Sequence, residues 1–200
     1  MNSLFERYNE IHSKLPIYDM HMHLGPLSGI ELPWTSAKDM ISAMDKAGVK
    51  AGFLSSHHAI ALSKGGNSIS LKAALENPGR IFAYLVVNPY DEEAFDKDVL
   101  EFQKHPEAWA GFKFHGSSHP VNLLDSPVSR KALALADKMQ AIVLLHTWGG
   151  GGPASPIGIE PAIAKYKSAF FIMGHSCHGE WEKAGGILRK YKNAYADVVA

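Results

Sequence analysis

Short apolar runs alternate with amphipathic stretches along the whole chain. Ile17 to His23, Val49 to Ser55, Ile81 to Val87, Trp109 to Phe114, Ala141 to Leu145 and Ala169 to Met173 have the length and the branched and aromatic content of strands. Between them the apolar positions recur at helical spacing, predicting helices over Leu4 to Lys14, Ser36 to Gly48 through Met40 and Met44, Ser70 to Glu76, Asp91 to Lys104, Ser129 to Met139, Pro161 to Tyr166 and Glu180 to Tyr191. Ser36 is a candidate N-cap, Asp91 puts an acidic group at a helix start, and Asn77-Pro78-Gly79 is a stop. A seventh run begins in Ala194 to Val199.

Strand starts lie roughly 30 residues apart, the length of a strand–crossover–helix unit, so the strands are expected to be parallel. Leu85-Val86-Val87 and Ile142-Val143-Leu144-Leu145 are apolar on both faces, as a sheet covered on both sides requires. Such a sheet either closes into a barrel or stays open. The ends of the runs favour the barrel: His21, His23, His115, His146 and His175 all fall at or just beyond a strand end. In a barrel the C-terminal ends of all strands share one mouth. The expectation is a single α/β domain over residues 1–200, a TIM-type (β/α)8 barrel with about seven strands present. About 250 residues are typical of the complete fold, and no helix follows Tyr195-Ala196-Asp197-Val198-Val199-Ala200. A chain truncated before its last unit is therefore expected. The exposed edges of its first and seventh strands would favour a homo-oligomer.

Composition narrows the partners. The chain has 20 basic and 20 acidic residues and a formal charge of +0. It thus has no electrostatic reason to bind nucleic acid or an acidic membrane surface. Met1 to Ser13 lacks the apolar core of a signal peptide, and no run is long enough to span a bilayer. Cys177 is the single cysteine, which excludes an intrachain disulfide and a four-cysteine zinc module. A soluble cytoplasmic protein fits these bounds.

The candidate chemistry lies in the histidines. His21 and His23 are two apart on a strand and so share a face, and neutral imidazole is a preferred ligand for zinc and related ions. Asp19, two residues before His21, is placed to orient a ligand. Lys113 shares a face with His115. Gly149 to Gly152 lacks the lysine and hydroxyl of a phosphate-binding loop and reads as a flexible active-site loop. His57 and His58 read as loop residues on the mouth side, and His12, His105 and His119 as surface or loop residues. Cys177 competes poorly as nucleophile or ligand, because the histidine set already completes a metal site.

Taken together and in this order, Asp19-Met20-His21-Met22-His23, Gly111-Phe112-Lys113-Phe114-His115, His146-Thr147-Trp148 and Gly174-His175-Ser176 resemble the amidohydrolase superfamily. The similarity is to the amidohydrolase-related branch that includes aminocarboxymuconate semialdehyde decarboxylase. The resemblance implies a divalent metal, usually Zn2+, held by His21, His23 and His146. It implies a role for His175 as ligand of a second metal or as acid/base. It further implies substrate contacts from Lys113, His115 and Trp148. In related barrels a lysine on the fourth strand can be carboxylated and bridge two metals, an alternative role for Lys113. The family's further aspartate follows the eighth strand in a Gly-Ser-Asp setting, which this sequence lacks. The expected activity is metal-dependent hydrolysis of an amide, lactone or ester by activated water. A decarboxylase of the same branch is the close variant. A TatD-type phosphoesterase, which expects a glutamate on the fourth strand, and a barrel that binds metal or a partner without turnover are the other readings.

Overall fold

The computed structural model describes residues 3–12, 14–27, 36–62 and 64–198. The loop tip bearing Trp34, the side chain of His12, and Val199 and Ala200 lie outside the described residues. In chain order the elements are α1 (Leu4–His12), β1 (Ile17–Leu24), α2 (Ala37–Ala47), β2 (Val49–Ser56), α3 (His57–Ile60), α4 (Gly66–Glu76), β3 (Ile81–Val86), α5 (Glu92–Gln103), β4 (Trp109–His115), α6 (Pro127–Met139), β5 (Ile142–Trp148), α7 (Pro156–Lys165), β6 (Phe170–His178), α8 (Trp181–Lys190) and β7 (Ala194–Ala196). The seven strands are all parallel and pair in sequence order. They form a curled, incomplete TIM-type barrel. Among the described residues β1 pairs with β2 alone and β7 with β6 alone.

Helix starts follow local chemistry. Ser36, Asp91 and Ser126 each accept a hydrogen bond from the backbone N–H three residues on. Gly48 ends α2 at φ 69°, a conformation that costs glycine nothing. Two helices begin earlier than their hydrophobic pattern predicts. Helix α4 starts at Gly66, and α7 starts at Pro156 and carries Pro161 in its interior. The N–H that Pro161 lacks would have faced the carbonyl of Ile157, a residue 73% exposed, where water can take the freed acceptor.

Strand alternation divides the core in two. Leu54, Leu85, Phe112, Leu145 and Phe171 point outward and pack with the helices in one large cluster. Tyr84, Leu144 and Ile172 point inward and pack with Met20, Phe53, Ala110 and Ile142. The Tyr84 hydroxyl is buried there and donates to the Met20 carbonyl at 3.0 Å. Burial pushes its pKa up, so this inner plug stays neutral.

Two irregularities re-aim side chains at the mouth. Between Asp19 and Met22, β1 uses one more residue than β2, a bulge that resets the alternation just before His21. Between His146 and His178, β6 uses two more residues than β5. Against Thr147 alone stand His175-Ser176-Cys177, three consecutive non-glycine residues at φ 60°, 48° and 55°. Each left-handed residue costs roughly 1–2 kcal/mol. Three bonds offset this: His175 N–H to Asp197 Oδ1 at 2.7 Å, Cys177 N–H to Thr147 Oγ1 at 2.8 Å, and Glu180 N–H to the Cys177 carbonyl at 2.8 Å. No helix among the described residues is long and apolar enough to cross a membrane.

Candidate active site at the barrel mouth

The strand ends bring five histidines, one lysine and one carboxylate together. His21 is the hub, with its side chain almost fully buried. Its Nδ1 lies 2.8 Å from Asp197 Oδ2, and its Nε2 lies 2.8 Å from Lys113 Nζ. A carboxylate only accepts and the lysine is a donor, so His21 carries its proton on Nδ1 and accepts through Nε2. His23 lies with its ring centroid 5.0 Å from that of His21 and 4.9 Å from that of His57, and its Nδ1 is 3.2 Å from Ser55 Oγ. His175 is 5.0 Å from His21, centroid to centroid, and its Nε2 is 3.2 Å from His146 Nδ1. His146 is stacked on His115 at 3.9 Å. Trp148 stacks on His178 at 4.3 Å and meets His175 edge-on at 5.2 Å.

Burial disfavours charge on four of these rings. Desolvation is the largest influence on His21, His23, His115 and His146, and it lowers the pKa of each. Lys113 adds repulsion. His115 falls to about 3 and His146 to about 2. On His21 the bond to Asp197 opposes the lowering. Lys113 has no exposed surface, and burial brings it down to about 7 against a pull upward from Asp197. At neutral pH His21, His23, His115 and His146 are therefore neutral imidazoles, the form that ligates a cation.

Several expectations need correction. Asp19 does not orient a ring: its Oδ1 accepts the backbone N–H of His21 at 3.0 Å, inside the bulge that breaks the two-residue parity. His57 is not a loop residue but opens α3, buried, with Nδ1 bonded to the Gly25 carbonyl at 2.8 Å. His119 does lie in a loop, between β4 and α6, but not at the surface, being 4% exposed. His105 does lie near the surface, between Glu101 and Glu107. Cys177 is buried in the outer cluster with its thiol pKa raised by desolvation, the opposite of an activated nucleophile. His175, expected beyond the strand, lies within β6 at its bulge.

Asp197 is the residue that sequence reasoning missed. It follows β7 directly and reaches both His21 Nδ1 and the backbone of His175. Its signal was available: it occupies the strand-end position at which the other runs carry histidine. The resemblance places its carboxylate after an eighth strand, whereas Asp197 follows the seventh.

The donor set suits a divalent cation in its chemistry, with neutral imidazoles and a carboxylate in one cavity mouth. In this arrangement the side chains hydrogen-bond to one another. Among the described residues no three His, Cys, Asp or Glu side chains are grouped as a metal site.

Gly174 shows how tightly His21 is seated. A Cβ on Gly174 would stand 2.8 Å from His21 Cε1 and 2.8 Å from the Leu145 carbonyl oxygen. Gly174→Ala is expected to destabilise the protein by about 1–3 kcal/mol, the cost of overpacking. It should also shift the His21 ring resonances in a histidine-selective NMR spectrum. Unchanged resonances would mean that His21 is not wedged against this strand.

An α/β barrel with a histidine mouth is the class that fold and site define. No family model and no curated protein matches the sequence. Solved structures do share the fold. A probable 2-pyrone-4,6-dicarboxylic acid hydrolase from Acinetobacter baumannii, with citric acid bound, superimposes with TM-score 0.68 at 16% identity, over 92% of this chain and 70% of its own. A protein described as an amidohydrolase II gives 0.62 at 18%, over 92% and 78%. The 5-carboxyvanillate decarboxylase of Novosphingobium aromaticivorans, in complex with manganese and 4-hydroxy-3-methoxy-5-nitrobenzoic acid, gives 0.65 at 11%, over 91% and 74%. The chain thus has the fold of amidohydrolase-type hydrolases and decarboxylases.

Proposed function

We propose that this chain is a metal-dependent enzyme of the amidohydrolase superfamily that hydrolyses an amide, lactone or ester of a small molecule. The observation that carries this reading is the convergence of His21, His23, His146, His175 and Asp197 on one barrel mouth. His21, His23 and His146 would hold a divalent cation, Zn2+ or Mn2+, with His175 beside them. When bound, such an ion supplies Lewis acidity that polarises a carbonyl and lets water ionise near neutral pH. Asp197 holds the His21 proton on Nδ1 and so leaves Nε2 as the donor atom of that ring. Lys113 gives up its bond to His21 when Nε2 is engaged, and its ammonium then pairs with a substrate carboxylate. His175, next to His146, is the acid/base group, exchanging a proton with substrate at Nε2. His115 and Trp148 flank the substrate.

Decarboxylation of a small acid is the second reading, favoured by the buried Lys113 as a carboxylate anchor beside His21. Both are tested with the chain stripped by chelator and reloaded with Zn2+ or Mn2+. A panel of lactones, aryl esters and amides is followed for acid release, and hydroxybenzoates for CO2. Turnover should vanish in the stripped protein and return on reloading. Turnover indifferent to metal, or confined to phosphodiesters, would overturn both readings.

A further inference from the structure

Strand β6 departs from its pairing with β5 at the residue that carries the proposed acid/base group. His146 pairs with Gly174 and Trp148 with His178, so Thr147 alone stands opposite His175-Ser176-Cys177. All three residues of that turn are left-handed, at φ 60°, 48° and 55°. Non-glycine residues keep this conformation only where their surroundings over-determine it. The turn must therefore be pinned at both ends.

A single hydroxyl does this from β5. Thr147 Oγ1–H donates to the Gly174 carbonyl, the last acceptor before the turn. The same Oγ1 accepts the Cys177 N–H at 2.8 Å, the last donor within it. Among short side chains only a hydroxyl donates and accepts through one atom. Thr147 has no exposed surface, and strand alternation turns it away from His146 and Trp148. It does not reach a substrate. From the other side, Asp197 Oδ1 accepts the His175 N–H at 2.7 Å. Held between the two, the His175 ring brings its Nε2 to 3.2 Å from His146 Nδ1.

We propose that Thr147 is a positioning residue, whose hydroxyl bridges Gly174 and Cys177 and so holds the left-handed turn that aims His175 into the mouth. As a determinant of turnover it rests on the reading of His175 as the acid/base group. Without the hydroxyl, a buried carbonyl and a buried N–H each lose a bond, and the three residues relax toward ordinary backbone. The His175 ring moves with its Cα. A misplacement of about 1 Å costs a reacting group about 10²-fold in rate.

Thr147→Val exchanges the hydroxyl for a methyl of like size, and Thr147→Ser restores it. Both are compared with the wild-type full chain, labelled with 15N-histidine. In the metal-free valine variant the His175 ring resonances should shift while those of His105, near the surface, stay in place. After metal loading, its kcat should fall about 10²-fold with KM within about twofold, because Thr147 acts on the reacting group and not on substrate binding. The serine variant should match the wild type in both. Unmoved His175 resonances or an unchanged kcat in Thr147→Val, or a serine variant as impaired as the valine one, overturns the proposal and leaves Thr147 a packing residue. Should the valine variant fail to fold, amide exchange decides: in the wild type and in Thr147→Ser the Cys177 N–H should be strongly protected, and fast exchange overturns the bridge. A wild type without metal-dependent turnover sinks the proposed activity, and the His175 spectrum then decides on Thr147 alone.

Discussion

Asp197→Asn should lower both metal affinity and turnover of the metal-loaded protein by about 10–100-fold, the usual cost of removing the carboxylate behind a ligating histidine. Asp197 Oδ2 accepts the Nδ1 proton of His21 at 2.8 Å, while Nε2 faces Lys113 Nζ at the same distance. An asparagine is nearly isosteric, so packing is kept. Its amide N–H can point at Nδ1, however, and the proton of His21 then moves to Nε2, where it meets the lysine donor. The wrong tautomer faces the mouth. In the serine-protease triad a comparable Asp→Asn change costs about 10⁴ in kcat, which sets the upper end of the expected loss. Competition with a chromophoric chelator measures affinity, and 15N-histidine NMR reads the tautomer directly. Unchanged affinity together with an unchanged tautomer would show that Asp197 does not govern His21.

The second large effect is on stability, and its sign changes with pH. In the metal-free protein Lys113→Met should stabilise the fold near pH 7 by roughly 2 kcal/mol and destabilise it by roughly 1 kcal/mol near pH 10.5. Burial depresses the Lys113 pKa from 10.5 in the unfolded chain to about 7 in the fold. Above the unfolded value both states are neutral and no penalty exists. As pH falls from 10.5 to about 7, the unfolded chain takes up a proton that the fold refuses, and the wild type loses stability steadily. Below about 7 both states are charged and the penalty is constant. Methionine removes that penalty, of about 3–5 kcal/mol, but leaves His21 Nε2 without its donor, at about 1–3 kcal/mol. The two contributions cross between neutral and alkaline pH. Urea unfolding of both proteins at several pH values between 6 and 10.5 measures the difference. A difference independent of pH would mean that Lys113 titrates normally and is not buried as charge.

The same two residues mark what could be read without coordinates. Lys113 was recognised as inward-facing because strand parity from His115 holds along the regular strand β4. The barrel, its parallel strands and the convergence of His21, His23, His115, His146 and His175 follow from hydrophobic period and from histidines at strand ends. Those are local properties, and local properties are legible. Asp19 was misread because the same parity rule fails across the β1 bulge, which no residue in Asp19-Met20-His21 announces. The loop position of His119 is legible but its burial is not, because its ring bonds to Ile60, 59 positions away in the chain.

The sequence by itself determined the fold class, the spacing of its units, the Ser36 cap and the histidine character of the mouth, since each depends on side chains within a turn or a strand of one another. Only the tertiary structure decided which atoms of those histidines are free. The proton on His21 Nδ1 and that on His119 Nε2 are fixed by partners 176 and 59 residues distant in sequence, and the depressed pKa of Lys113 by the water that packing removes. Desolvation and long-range hydrogen bonds act through space, and a linear pattern carries no record of them.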